Sequence, residues 1–180
     1  MNIESKRLIL TEISWDDLEN IHGLHSIPEV DEFNTLGIPE NIEVTREVLR
    51  PFIETKNLVV KKKYSWTISI KNSSEFIGIA GMNLSNDKYN RGEIYYKFHP
   101  SHWGNGYATE VSKALIKSGF DDLNLHIVEA GVATENTKSI HVLEKSGMTR
   151  EGLRRKILPI RGKWLDNYQY AILEDDPRDF

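Results

Sequence analysis

Short stretches of this chain alternate apolar with polar residues, and helical spacing takes over between them. Residues 7–13 alternate as a strand, and Ser14, with Asp17 three positions on, is placed to cap a helix running to about His25. Pro28 is expected to end that helix, and residues 31–39 carry no period. Asn41 is placed to cap a second helix, with Val44, Val48, Leu49, Phe52 and Ile53 at helical spacing and a kink or break predicted at Pro51. Residues 64–70 and 75–84 read as strands joined through Asn72, Ser73 and Ser74, and a second hairpin turn falls at Asn86, Asp87 and Lys88. Residues 93–98 form the next strand. Helical spacing returns over 107–120, with Tyr107, Val111, Ala114, Leu115 and Ser118 on one side. A strand at 127–133, a helix over 136–146 stopped by Gly147, and strands at 149–158 and 163–173 complete the chain. Because a helix separates the strand at 93–98 from that at 127–133, these two should run parallel.

The junction between strand 93–98 and the helix after it holds the most informative residues, Trp103, Gly104, Asn105, Gly106, Tyr107, Ala108 and Thr109. A tight turn through two glycines leaves the helix's first N–H groups unpaired at its positive end, where they can hold a pyrophosphate without Lys or Arg. Glycine at 104 and 106 permits unusual φ and close approach of a ligand. A Walker loop is excluded because no Gly-Lys-Ser/Thr follows, and a dinucleotide fingerprint fails at Thr109, where its third small residue belongs. A turn with no ligand remains the plain alternative for a lone Gly-x-Gly.

The segment resembles the pyrophosphate loop of the GNAT N-acetyltransferases, Gln/Arg-x-x-Gly-x-Gly/Ala, laid on Trp103, Gly106 and Ala108. Trp103 departs from the usual Gln/Arg, as in the subgroup of ribosomal-protein N-terminal acetyltransferases, whose Trp-Gly-x-Gly-Tyr-Ala-Thr-Glu string Glu110 completes here. The likeness continues through Ser5-Lys6-Arg7-Leu8-Ile9-Leu10 and Trp15-Asp16-Asp17-Leu18 near the start. After the loop helix, Asn136 and Ser139 match that subgroup's Asn-x-x-Ser, and Glu144-Lys145-Ser146-Gly147-Met148 its Glu-Lys-x-Gly-Phe, with Met148 for Phe. Gly162-Lys163-Trp164-Leu165-Asp166 resembles the turn before its last strand. What this implies is an α/β (α+β) GNAT acyl-CoA N-acyltransferase fold: a mixed, mostly antiparallel sheet with a splayed parallel strand pair, flanked by helices, as one domain over 1–180.

The resemblance also implies a site. Acetyl-CoA would be the cosubstrate, its pyrophosphate on the amides from Gly104 to Thr109 and its pantetheine along the backbone of Tyr96, Lys97 and Phe98 and against Asn136. Glu93 would be the base that takes the amine's proton, with a water relay as the alternative and a surface ion pair as the plain reading. Many relatives protonate the thiolate with a Tyr where this chain has Leu143, and Ser139 matches the Ser that the subgroup can use instead. Asn136 and Ser139 also fit a helix cap and its turn, and both roles are compatible. For the acceptor side the candidates are His25, Asp31, Phe33, Trp66, Arg161 and Trp164, although the two Trp fit core packing as well.

Composition narrows the classes. The chain has 180 residues, 39% of them apolar, which suits one buried core. A net charge of −4 argues against nucleic acid or a membrane surface as partner, and zero cysteines exclude disulfides, thiolate metal sites and a Cys nucleophile. The paired histidines at 22/25 and 99/102 lack the flanking Glu of a zinc motif, so no metal is expected. Lys61, Lys62 and Lys63 read as a solvated run. With no signal-peptide pattern or membrane-length apolar run, a cytoplasmic location follows. The expected activity is transfer of acetyl to a peptide N-terminus or small amine, by a monomer or homodimer, with an inactive CoA-sensing module as the alternative.

Overall fold

In the computed structural model, which describes residues 1–55, 61–86 and 88–180, eight strands form one sheet in the order β1-β2-β3-β4-β5-β6-β8-β7. The strands are β1 (Ile3–Glu4), β2 (Leu8–Glu12), β3 (Lys63–Ile70), β4 (Phe76–Leu84), β5 (Arg91–Phe98), β6 (Ile127–Ala133), β7 (Thr149–Ile160) and β8 (Lys163–Leu173). Every neighbouring pair is antiparallel except β5 and β6. The helices are α1 (Leu18–His25), α2 (Pro28–Asp31), α3 (Ile42–Ile53), α4 (Tyr107–Asp121) and α5 (Thr137–Lys145).

The alternation of β5 sorts the molecule into two sides. Ile94 and Phe98 are buried with Val111, Leu115 and Ile116 of α4, and Tyr96 packs against that cluster. Tyr95 instead packs with Leu18, Ile21 and Leu24 of α1 and Leu49 of α3 on the other face. Glu93, Tyr95 and Lys97 therefore belong to the α1–α3 face, as a period of two requires.

Local signals account for most boundaries. Ser14 N–H donates to the Asp17 carboxylate at 2.8 Å, and one 3-10 turn (Trp15–Asp17) precedes α1. Asn41 Oδ1 accepts from the N–H groups of Glu43 and Val44 at 3.0 and 3.2 Å, fixing the start of α3. Gly147 takes φ 83°, which ends α5.

Four expectations need correction. Pro28 does not merely stop a helix; it occupies the first turn of α2, where its missing N–H costs nothing. Pro51 does not break α3, which continues to Ile53; so near the C-terminus, few later turns depend on it. The buried stripe of α3 runs through Thr45 and Leu49, while Val44 is exposed, because the His22 ring bonds Thr45 Oγ1 at 2.8 Å and draws that position inward. Lys63 opens β3, and Lys61 pairs with Glu12, so the basic run is not a free solvated loop. The second hairpin turn predicted at Asn86, Asp87 and Lys88 includes Asp87, outside the described residues.

Close packing of β4 on β5 depends on a missing side chain at Gly78, where a Cβ would stand 2.2 Å from the Lys97 carbonyl oxygen. That neighbour is backbone and cannot swing away. Gly78→Ala should cost about 1–3 kcal/mol, read as a lower urea midpoint with little change in slope.

Candidate active site

The parallel pairing of β5 with β6 covers only Arg91 with Ile127, Gly92 with Val128 and Glu93 with Glu129. Both strands continue, β5 to Phe98 and β6 to Ala133, but they no longer pair. The parting opens a groove of about 1220 Å³ that passes between the two sides of the sheet. Glu93, Tyr96, Lys97, Phe98, Trp103, Gly104, Gly106, Tyr107, Ala108, Thr109, Asn136 and Ser139 all line it. Asn105 does not. Its side-chain amide donates to the carbonyls of His102 and Trp103 at 3.1 and 3.3 Å, so it shapes the turn from outside the groove.

At one end, Gly104 and Gly106 take φ 78° and 77°, and Gly106 caps α4 in the left-handed conformation. The first bond within that helix runs from Glu110 N–H to Gly106 O at 3.1 Å, so the amides of Tyr107, Ala108 and Thr109 lie before the helical ladder begins. A Cβ built at Gly104 would meet nothing within 4 Å, which leaves the turn open to a ligand. Trp103 is anchored by its indole N–H to Phe98 O at 2.9 Å, tying the turn back to the end of β5.

Glu110 locks the turn from behind. Its carboxylate accepts from Arg7 N–H at 2.6 Å, Arg7 Nε at 2.7 Å and Ser5 Oγ at 2.7 Å, while Arg7 also donates to Asn105 O at 3.0 Å and lies 4.4 Å from the Tyr107 ring centre. Burial alone would raise the Glu110 carboxyl, but these bonds and the guanidinium charge outweigh it and hold the group below its ordinary value.

Toward the middle of the groove, Ser139 sits on the first turn of α5. Asn136 Oδ1 accepts its N–H at 3.1 Å, and the Ser139 side chain lies near the Tyr96 phenol. Burial raises the Tyr96 phenol well above its ordinary value, with the nearby Ser139 acting in the opposite sense. Leu143 is buried in the core and carries no hydroxyl to this point.

Glu93 stands where the strands part. Its surface is exposed to the groove, but the protein around it displaces water, and that desolvation, then the nearby Glu129 charge, pushes its carboxyl up, with Arg154 acting against both. A Cβ at Gly131 would approach Glu93 Oε1 to 3.4 Å and Asn167 Oδ1 to 3.0 Å, so a glycine there makes room for both side chains.

On the acceptor side, Phe33 lines the groove, whereas Trp66 and Trp164 do not. Trp66 is fully buried and donates to Met1 O at 2.7 Å; Trp164 is 61% exposed on the last hairpin. His25 and Asp31 are buried and are not among the groove-lining residues, and Arg161 lies 3.5 Å from Asp31 across the protein. Sequence reasoning missed the Tyr96 hydroxyl, Arg154 and Asn167. A glycine inside the apolar strand at 131 was the readable sign of the last; the others depend on how distant strands meet.

Residues 7–149 match the model of the acetyltransferase (GNAT) domain. The chain belongs to the GNAT acetyltransferase family. It is 33% identical over 172 residues to the uncharacterised N-acetyltransferase YoaA of Bacillus subtilis, with 96% of each chain covered. A solved GNAT-family acetyltransferase from Bacillus anthracis matches with TM-score 0.83 and 31% identity over 97% of this chain and 99% of that one. A spermidine N-acetyltransferase from Vibrio cholerae, solved with CoA and spermine, matches with TM-score 0.82 and 23% identity over 94% and 97% of the two chains, which shows a shared fold. The chain is thus an N-acetyltransferase, and the family uses acetyl-CoA. No described helix is long and apolar enough to cross a membrane.

Because the Glu110 carboxyl is held low, the stability it adds is present above its ordinary value of 4.5 and is lost as pH falls through the lowered one. Glu110→Ala should cost about 1–2 kcal/mol at pH 7, after allowance for the exposed Arg7 partner. Denaturation across pH checks this: the gap from the parent should close in acid and stay open at neutral pH.

Proposed function

We propose that the chain transfers acetyl from acetyl-CoA to a primary amine, on a peptide N-terminus or a small molecule, by direct attack in a ternary complex. The observation that carries this reading is the parting of β5 and β6 after Glu93 and Glu129, with a carboxylate at the fork and a hydroxyl pair within the same groove. In this reading the amides from Gly104 to Thr109 hold the pyrophosphate, with Trp103 fixing the turn and Asn105 bracing it. The β5 backbone at Tyr96, Lys97 and Phe98, with Asn136, holds the pantetheine arm. Holding both substrates in line supplies about 7–11 kcal/mol of the acceleration in favourable cases.

Glu93 takes the proton from the acceptor ammonium, directly or through one water, and its raised carboxyl makes it a stronger base than an ordinary glutamate. The free amine attacks the thioester carbonyl, and the C–S bond breaks as the amide forms. Ser139, close to Tyr96, delivers a proton to the departing thiolate, taking the part that Leu143 leaves unfilled, and regains one through water from the nitrogen, which sheds its second proton as the amide forms. The pair of hydroxyls favours the ribosomal-protein N-terminal acetyltransferase type of chemistry over a CoA-sensing module without turnover. The reactants, a soluble thioester and an amine, fit action in the cytoplasm.

A turnover screen with acetyl-CoA against N-terminal peptides and small amines tests this function; free CoA should appear only with an acceptor present. On any amine that is used, Glu93→Gln should lower kcat roughly 100-fold or more, with a smaller loss at high pH where the amine is already neutral. Ionising a carboxyl whose folded value is raised opposes folding. Any stability the neutral form adds exists below 4.5 and is lost as pH rises through the raised value, so the Gln variant should be no less stable than the parent at pH 7.

Ser139→Ala should lower kcat while leaving the KM for acetyl-CoA near that of the parent, since the Asn136 bond to its backbone N–H survives. Normal turnover of this variant would assign protonation to water instead.

A further inference from the structure

The Lys97 side chain is a cation that nothing in the transfer chemistry uses. It shares a face of β5 with Glu93, four residues away, and both line the groove. Strand geometry sets their Cα atoms about 13 Å apart. Behind Lys97 lie three buried or tethered groups: His25, Asp31 and Arg161. His25 is 3% exposed, and neither ring nitrogen has a hydrogen-bond partner; Asp31 is 4% exposed, with Oδ1 also unpartnered. Arg161 Nε lies 3.5 Å from Asp31 Oδ2, and its Nη2 donates to Pro28 O at 2.9 Å.

The charges in this cluster do not cancel. Burial first, then Lys97 and His22, lowers His25 to about 3, so the imidazole is neutral. Burial lowers Lys97 to about 8, with Asp31 acting the other way, so the ammonium stays mostly charged at pH 7. Two cations, Lys97 and Arg161, face the single Asp31 carboxylate, which is engaged with Arg161. No carboxylate salt bridge within 4.0 Å holds the Lys97 ammonium among the described residues. A largely buried charge without a counter-ion is costly unless a ligand supplies one. The carboxylates of Glu29 and Glu32 at the groove's mouth are exposed, where water and salt screen them.

The geometry points to an acceptor that carries a carboxylate within about 13 Å of its reactive amine, with the amine at Glu93 and the carboxylate received by Lys97. This rests on the acetyl-transfer reading and adds the class of amine. The same cation disfavours a polyamine, whose second ammonium would lie against Lys97. Two sources share the chemistry: a peptide N-terminus with an acidic residue at its second or third position, and a small amino acid with its amine at the far end of the chain.

Matched acceptors test it on the full chain: peptides differing only in Glu against Gln at position two or three, chain-end amino acids against their carboxamides, and spermidine. In the parent, kcat/KM for the acid of at least one pair should exceed that of its amide tenfold or more, and which pair responds identifies the source. Lys97→Met should bring that ratio near one, and Lys97→Glu should turn the preference toward spermidine. Ratios near one in the parent, or a preference that survives Lys97→Met, overturn the proposal; the parent ratios need no variant and stand even if a substitution misfolds. If no amine is acetylated, the transfer reading fails separately. The same acid and amide pairs are then titrated calorimetrically into CoA-loaded protein, where equal affinities overturn the role of Lys97 and a tenfold preference for the acid supports it.

Discussion

The groove of this molecule depends on two neighbouring strands that pair for three residues and then part. Parallel strands normally continue their ladder as long as both remain extended, since an unpaired backbone group away from water is costly. Here β5 and β6 stop at Glu93 and Glu129 and diverge, leaving polar backbone along the walls of a groove. Such an edge inside a sheet has a use when a ligand with its own amides completes it, as an extended, amide-bearing arm does. The parting also joins the two sides of the sheet, so groups from α4 and α5 and groups from α2 and the residues just after it reach one space.

The period of β5 then divides the chemistry. Odd positions from Glu93 to Lys97 face α1–α3, and the even positions Ile94, Tyr96 and Phe98 face α4 and α5. A carboxylate and a cation thereby fall on the acceptor side, while the Tyr96 and Ser139 hydroxyls fall toward the helices. Electrostatics follows placement: Glu93 is pushed up by desolvation and the charge of Glu129, whereas Glu110, equally a glutamate, is pulled down because three donors converge on it. One carboxyl is made a better base and the other a better tether.

Much of this was legible in the sequence because its signals are local. The bounds of β6, the Asn136 and Asn41 caps, the left-handed Gly147 and the glycine turn before α4 each follow from a few adjacent residues. The parallel pairing followed from the helix between the strands, and the splay only from the family resemblance. What was misplaced depends on partners far along the chain. Val44 gave way to Thr45 because His22 of another helix bonds it, and Trp66 left the acceptor list because the N-terminal backbone takes its indole N–H. The gathering of His25, Asp31, Lys97 and Arg161 joins four separate elements, and no short-range pattern announces it. Asn105, inside the motif, spends its side-chain amide on the carbonyls of His102 and Trp103, which no adjacent residue signals.

The central claim is that the parted edge of β5 and the turn before α4 receive acetyl-CoA together. Residue-resolved amide hydrogen exchange with and without acetyl-CoA measures it directly, because only amides that acquire an acceptor or lose water are slowed. Slowing should appear at both Tyr96–Phe98 and Gly104–Thr109, and Gly106→Asp, which places a side chain and a negative charge in the turn, should abolish it. Exchange unchanged in both segments while acetyl-CoA demonstrably binds would contradict the account.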